Sequence, residues 1–185
     1  MKDLVSQAKI VQDFIEARGW PFCIIGGVAL LRWGEPRLTR DIDLCLFTDF
    51  GEEDRFSEAL LARFAARIPN ARDFARTHRV LLLSTPAGHG LDVAYAGLPL
   101  ERDLIERSTK ADYQPGIALR TCSAEDLVVL KAFAARPQDW IDVRNVAIRQ
   151  RGSLDWPAIY ERLTPLVELK GEPEILARLR AIETV

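Results

Sequence analysis

Two aspartates and two glycines have the types and the spacing that phosphate chemistry requires. Asp41 and Asp43 open an apolar run two residues apart, so on a strand both carboxylates leave the same face, roughly 6.5 to 7 Å apart along the chain. Gly26 and Gly27 end the preceding apolar run, and without Cβ atoms they allow a tight turn and close approach of a ligand to the backbone N–H groups. A phosphate cradle beside paired carboxylates is the layout that holds a metal-bound nucleotide.

A strand, a short helix and a second strand must position these four residues. The sequence predicts a strand over Pro21–Ile25 and a helix over Val28–Trp33, whose unpaired N–H groups favour an anion above the glycines. In the second strand Ile42, Leu44 and Leu46 alternate with the aspartates and therefore point into a core. A solvated strand end is the structural alternative. Against it, two carboxylates at the mouth of an apolar strand repel each other unless a cation or donors lie between them.

These motifs carry a resemblance to a known family. A Gly-Gly pair, a spacer of thirteen residues and Asp-x-Asp on a strand resemble the nucleotidyltransferase superfamily of the polymerase-beta type. The longer pattern GGVALLRWGEPRLTRDIDL is most similar to the AbiEii class of nucleotidyltransferase toxins. The resemblance implies an α/β nucleotidyltransferase fold, a small mixed β-sheet flanked by helices with a helical C-terminal half. Arg37 and Thr39 match positions just ahead of the acidic pair; Thr39 is a candidate for nucleotide binding, and the alternative for both is turn polarity.

Asp92 is the candidate for a third carboxylate. Alternate residues of the predicted strand Leu91–Tyr95 face the opposite side, and a lone charged residue there needs a partner if it is buried. In the superfamily a third carboxylate arrives on such a strand, so the resemblance implies that Asp41, Asp43 and Asp92 are catalytic and bind Mg²⁺ or Mn²⁺. Three carboxylates that converge without a metal should raise at least one of their pKa values. The alternative is an exposed residue on a hairpin.

A second block lies in the C-terminal part. Lys131 interrupts an apolar helical run, where a lysine either extends its ammonium to water or reaches into a pocket. With Arg136, Asp139 and Asp142 it forms K-x4-R-x2-D-x2-D, which resembles the second conserved block of the AbiEii-like proteins. The resemblance implies that Lys131 is catalytic at the leaving phosphates and that all four residues bind nucleotide. The chain departs from the family pattern at one position of this block, where Gln138 replaces the usual basic residue. This difference bears on how the block contacts substrate.

Other segments predict elements around these blocks. A helix is expected over Glu53–Ile68, a last strand over Ile117–Thr121, and a helix after Ser123 that runs to about Arg136 and ends at Pro137. Five arginines lie within or shortly after the predicted helix Glu53–Ile68: Arg63, Arg67, Arg72, Arg76 and Arg79. Such a run is usually a solvated face. The alternative is a basic strip that receives an anionic substrate such as an RNA end.

The composition is that of an ordinary globular protein. The 185 residues are 48% hydrophobic and 28% charged, and the net charge of −2 argues against a broad nucleic-acid-binding surface. No run is long and apolar enough to span a bilayer, and the first residues do not resemble a signal peptide. Cys23, Cys45 and Cys122 have no metal-ligand spacing, so buried reduced thiols and a cytoplasmic location are expected.

Together these observations predict a metal-dependent enzyme that transfers a nucleoside monophosphate from a nucleoside triphosphate to an acceptor hydroxyl. Residues 1–121 would form the catalytic core and residues 122–185 a helical region closing the cleft, with one continuous domain as the alternative. The AbiEii resemblance implies the toxin of a toxin–antitoxin pair that modifies tRNA or protein, with a cognate antitoxin as partner. The alternatives are an aminoglycoside-type transferase with a small-molecule acceptor and a degenerate, non-catalytic binding module. The intact acidic pair argues against the last.

Overall fold

The computed structural model describes residues 2–184. Within them, seven strands form one mixed sheet in the order β3-β4-β5-β2-β1-β7-β6. The strands are β1 (Phe22–Ile25), β2 (Asp41–Phe47), β3 (Ala65–Ala66), β4 (Val80–Ser84), β5 (Gly90–Ala96), β6 (Thr109–Gln114) and β7 (Ile117–Thr121). The mixed α/β architecture expected from the sequence is confirmed.

The chain folds into two compact units. The first comprises the chain up to Val28 with Leu38–Cys122 and contains the sheet; the second comprises Ala29–Arg37 and the chain from Ser123 onward. The first unit carries α1 (Lys2–Glu16), α3 (Glu53–Leu61), α4 (Ala71–His78) and α5 (Pro99–Glu106). The second carries α6 (Ala124–Ala134), α7 (Pro137–Arg149), α8 (Trp156–Lys170) and α9 (Glu174–Glu183). Helix α2 (Gly26–Trp33) begins in the first unit and continues into the second.

Strand β2 lies in the middle of the sheet. It pairs with β1 in the antiparallel sense and with β5 in the parallel sense. Its apolar residues Ile42, Leu44 and Leu46 are fully buried, as the alternation with the aspartates predicts. Since side chains alternate along a strand, Asp41 and Asp43 are left on the opposite face.

Several predicted boundaries were wrong for local reasons. The helix expected over Glu53–Ile68 ends at Leu61, because Phe64 enters the core and the next two residues pair with β4 as strand β3. Strand β6 was missed, since its burial shows no regular alternation. Helix α6 ends at Ala134, and Pro137 begins α7, where a missing N–H costs nothing. The short helix expected from Val28 begins at Gly26.

The predictions for Ser123 and for the cysteines are confirmed. The Ser123 hydroxyl accepts a hydrogen bond from the Asp126 N–H at 3.0 Å and so caps α6, and all three cysteines are buried. In the part of the chain that the structure describes, no helix combines the length and the apolar character that crossing a bilayer requires.

Candidate active site

Three carboxylates share one face of the sheet in the first unit. Asp43 on β2 is paired in register with Asp92 on β5, and Asp41 is paired with Gly90. Side chains at paired positions of neighbouring strands leave the same face, with backbones about 4.8 Å apart. The Asp41 side chain is 53% exposed and the Asp92 side chain 33%. The sheet therefore brings together the three aspartates that the sequence singled out.

The two glycines make room for side chains of this face. Gly26 has φ +61°, and a Cβ atom there would lie within 3.0 Å of three atoms of the Asp43 side chain. The Gly27 N–H, in the first turn of α2, points at Asp43 Oδ2 with an N–O distance of 3.4 Å. A Cβ atom on Gly27 would lie 2.8 Å from Thr39 Cβ. The glycines thus seat Asp43 and Thr39, while their expected contact with phosphate stays a prediction.

Arg67 lies between two of the carboxylates. Its guanidinium pairs with Asp92, and its second terminal nitrogen is 3.7 Å from Asp41 Oδ1. A Cβ atom on Gly90 would collide with both the Asp41 carboxylate and the Arg67 guanidinium. In the sequence, Arg67 stands out only as one of a run of arginines. The requirement for a cation between the carboxylates was a signal for such a residue, but nothing in the pattern said which arginine supplies it.

The pKa of Asp92 is raised above its ordinary value. Burial is the first cause, and the negative charge of Asp41 adds to it, while the Arg67 guanidinium opposes both. The expected direction is confirmed. Repulsion among the carboxylates, however, contributes less than the loss of water around Asp92.

The three carboxylates are suitable ligands for a divalent cation, but in this structure two of them contact the guanidinium of Arg67. Carboxylate oxygens are the ligands that Mg²⁺ prefers in proteins. Among the described residues, no group of three or more His, Cys, Asp or Glu side chains is arranged to hold a metal ion as it stands. The guanidinium of Arg67 stands in for a cation at Asp41 and Asp92. The residues therefore fit a metal in kind, and their side chains would have to reorient around it.

Three residues of the predicted second block, Lys131, Asp139 and Asp142, form a buried ionic cluster in the second unit. Lys131 Nζ lies 2.9 Å from Asp139 Oδ1 and 2.6 Å from Asp142 Oδ2, and the lysine side chain is only 7% exposed. Arg136 adds a contact of 2.5 Å to Asp139 Oδ2. Arg37 donates two hydrogen bonds of 2.9 Å to the two Asp142 oxygens. Lys131 thus does not extend its ammonium to water, and its role at phosphates stays a prediction.

This cluster lowers the pKa of both aspartates. Burial alone would raise the pKa of Asp139, but hydrogen bonds and charges from Arg136 and Lys131 outweigh it. At Asp142 the same burial effect is outweighed by Arg37, Lys131 and Gln138. Gln138 donates a 3.0 Å hydrogen bond to Asp142 Oδ1. Both carboxylates are therefore held ionised near neutral pH.

The predicted arginine run does not form one continuous surface of available cations. Arg67 pairs with Asp92 and Asp41, Arg76 with Asp54, and Arg79 with Glu53. The Arg63 guanidinium lies 5.5 Å from the centre of the Phe64 ring. Three of the five arginines are thus neutralised by acids of the first unit, which argues against an extended strip for a polyanion.

Three solved structures share this fold. A nucleotidyltransferase-like antigenic protein from Paracoccidioides brasiliensis is 17% identical, with a TM-score of 0.56 over 98% of this chain and 94% of its own. The lincosamide antibiotic adenylyltransferase LnuA, solved with lincomycin bound, is 14% identical, with a TM-score of 0.53 over 76% of this chain and 94% of its own. The antibiotic-resistance factor ANT(2'')-Ia is 14% identical, with a TM-score of 0.52 over 99% of this chain and 90% of its own. At these identities the likeness establishes the fold alone.

A family model covers nearly the whole chain. The model described as "Nucleotidyltransferase of unknown function (DUF6036)" matches residues 1–172. No curated protein matches the chain in sequence. The family match includes both the carboxylate face of the first unit and the ionic cluster of the second.

Proposed function

Since the chain belongs to the DUF6036 family of nucleotidyltransferases, we propose that it moves a nucleoside monophosphate from a nucleoside triphosphate to an acceptor hydroxyl with the help of a divalent cation. The single observation that carries this proposal is the pairing of Asp43 with Asp92 in register, beside Asp41 on the same face. Like charges placed directly opposite each other destabilise a sheet, so their presence at its centre supports a ligand-binding role.

The reaction that this face would serve is an in-line displacement at phosphorus. The acceptor oxygen attacks the α-phosphorus, the bond from that phosphorus to the oxygen bridging to the β-phosphate breaks, pyrophosphate leaves, and the acceptor hydroxyl releases its proton. Asp41, Asp43 and Asp92 would hold Mg²⁺ or Mn²⁺, which supplies charge stabilisation at the phosphates and lowers the pKa of the attacking hydroxyl.

The residues around the face have supporting roles in this proposal. Gly26 and Gly27 seat the Asp43 carboxylate against the first turn of α2, which fixes its direction. The unpaired N–H groups of a helix N-terminus also favour the anionic phosphates of a nucleotide. Thr39, which packs against Gly27, positions the start of β2 through a 3.4 Å contact from its hydroxyl to the Asp41 carbonyl.

The acceptor has two candidates. The similarity of GGVALLRWGEPRLTRDIDL to the AbiEii class supports tRNA or protein as the acceptor and an antitoxin as partner. A small-molecule hydroxyl is the second candidate, and the pairing of Arg76 and Arg79 with acids favours it because a bound RNA end needs available cations. A lincosamide antibiotic is such a small molecule, and the adenylyltransferase of that substrate class shares this fold.

One experiment tests the activity and sorts the acceptors. The protein is incubated with each of the four α-phosphate-labelled nucleoside triphosphates, Mg²⁺ and a cell extract, and the label is followed into RNA, protein and small molecules. Transfer into any fraction that is lost in excess chelator supports the proposal. Label in RNA or protein favours the first acceptor, and label in the small-molecule fraction favours the second. Absence of transfer with all four nucleotides would contradict the proposed function.

A further inference from the structure

The Arg67 guanidinium occupies the place between Asp41 and Asp92 where the proposed function requires a metal. We propose that Arg67 is an internal competitor of the divalent cation: it offsets part of the negative charge of Asp41 and Asp92 in the metal-free protein and has to leave them when the metal binds. This inference rests on the proposed function and adds a residue that sets the cation affinity of the site.

The backbone holds Arg67 at this place. The Arg67 N–H donates a 3.0 Å hydrogen bond to the Leu82 carbonyl, directly after the short strand β3 pairs with β4. Leu82 is in turn paired in register with Asp92 on β5. The arginine is therefore anchored one strand away from the carboxylate that its side chain contacts. The pairing of the strands therefore places Arg67 within reach of Asp92, and the contact is not a chance one made by a mobile surface side chain.

The face leaves room for this contact. Gly90 is paired with Asp41, and any side chain there would collide with the Asp41 carboxylate and the Arg67 guanidinium. A guanidinium carries several N–H donors in a planar fork, so it can contact two carboxylates at once. With one positive charge it offsets part of the repulsion within the acidic group, and in this way it stabilises the site without a metal.

The contact is weak enough to be exchanged. The Arg67 and Asp92 side chains are each 33% exposed and Asp41 is 53% exposed, and ion pairs with this degree of solvent contact contribute little to stability. A divalent cation carries twice the charge and binds oxygen directly, so it can displace the guanidinium. The guanidinium nevertheless reduces the apparent metal affinity, because the metal must compete with a group that is always present.

Metal binding by arginine variants tests this inference without relying on catalysis. Mn²⁺ binding to the full-length chain is measured by calorimetry and by electron paramagnetic resonance for the wild type, Arg67→Met and Arg63→Met. Arg63 is the matched control, because it lies four residues earlier with its guanidinium over Phe64. We expect Arg67→Met to tighten Mn²⁺ binding by roughly three- to fivefold, the upper part of the range for loss of an exposed ion pair. Arg63→Met should change it by less than about twofold.

The outcomes separate the inference from the proposed function. Three results would overturn the proposal that Arg67 competes with the metal. They are Mn²⁺ binding to Arg67→Met that is no tighter than to the wild type, an equal gain in affinity in Arg63→Met, and no Mn²⁺ binding by any of the three proteins. If Arg67→Met fails to fold, Arg67→Gln decides by the same criterion, since glutamine keeps a polar side chain and removes the positive charge. If the protein transfers nucleotide with Mg²⁺ but Arg67→Met leaves Mn²⁺ affinity unchanged, only this inference is refuted and the proposed function stands.

Discussion

Asp43 and Asp92 lie directly opposite each other on the parallel neighbours β2 and β5. Each stands on a strand whose alternate residues are fully buried, so the backbone fixes the direction of both carboxylates. The pKa of Asp92 is raised because the group is partly buried and lies near Asp41. An unfavourable arrangement at the middle of a sheet is characteristic of a site that binds a ligand, and it leads to a first prediction.

Asp43→Asn and Asp92→Asn should each abolish nucleotidyl transfer while the fold is kept. Loss of a direct metal ligand should cost more than the roughly 10- to 100-fold that loss of a supporting residue costs at metal sites. Because the raised pKa means that the fold disfavours the charged form of Asp92, Asp92→Asn should not lower the unfolding midpoint in urea at pH 7. Rates of labelled-nucleotide transfer and urea unfolding measure the two effects.

Asp73→Asn is the control for this pair, since Asp73 is an exposed aspartate of the same unit. It should leave transfer unchanged. Wild-type rates in Asp43→Asn or Asp92→Asn would remove the carboxylates from the reaction.

Gly26→Ala should destabilise the first unit more than a glycine replacement that meets no neighbour. Gly19 is the matched control, because its φ of +65° resembles the +61° of Gly26 and a Cβ atom there would meet no other atom within 4 Å. Gly19→Ala should cost about 1 kcal/mol for the left-handed backbone. Gly26→Ala should cost roughly 1 to 3 kcal/mol more, because its Cβ crowds Asp43. Equal losses in urea unfolding would show that Asp43 moves aside freely.

Gly27→Val should weaken binding of a non-hydrolysable nucleoside triphosphate more than it weakens the fold. The positive φ lies at Gly26, so the steric effect at Gly27 acts through Thr39, whose Cβ would lie 2.8 Å from a new Cβ. Calorimetric titration of Gly27→Val, of Thr39→Gly and of the double variant separates two causes, because Thr39 is itself a candidate for nucleotide binding. If a side chain at Gly27 blocks phosphate, the second change restores the fold but not the affinity. Wild-type affinity in Gly27→Val alone would make this position purely structural.

Lys131→Met should destabilise the second unit in a pH-dependent way. The folded pKa values of Asp139 and Asp142 are lowered, so these carboxylates contribute stability above their ordinary value of 3.8 and lose it as the pH falls through the lowered values. Removing the buried lysine should therefore cost about 3 kcal/mol at pH 7, and the loss should shrink as the pH falls below 3.8. Urea unfolding of the full-length chain between pH 7 and about pH 3 measures the difference.

Lys170→Met is the control, because Lys170 pairs with Glu172 at a more exposed position of the same unit. It should cost less than about 1 kcal/mol. A loss in Lys131→Met that does not change with pH would mean that the lysine acts by packing and not by charge.

The alternation of apolar and acidic residues along the sequence predicted the two central strands β2 and β5. Alternation around Asp41 and Asp43 predicted β2, and the same alternation placed Asp92 on the correct face of β5. The boundary at Leu61 could not be predicted, because apolar residues keep a helical period through Phe64 while the chain leaves the helix to pair with β4. Pairing between distant segments decides such boundaries, and it leaves no signal in a short window.

Contacts between charged residues were the least predictable part of the site. Arg67 lies 25 residues from Asp92 in the chain, and its sequence neighbours suggested a solvated helix face. Lys131 reaches Asp139 and Asp142 because the chain turns at Ala135, which has φ +57°, between α6 and α7. A sequence pattern can identify residues that are able to do chemistry. Which oppositely charged residue each of them contacts depends on tertiary packing.

The central proposal is that Asp41, Asp43 and Asp92 together bind a divalent cation. Mn²⁺ binding is measured by electron paramagnetic resonance for the wild type and for a variant with Asn at positions 41, 43 and 92, whose fold is checked by circular dichroism. We expect saturable binding to the wild type, strengthened by a non-hydrolysable nucleoside triphosphate, and none to the variant under the same conditions. Equal binding by the two proteins, or no binding by the wild type, would contradict it.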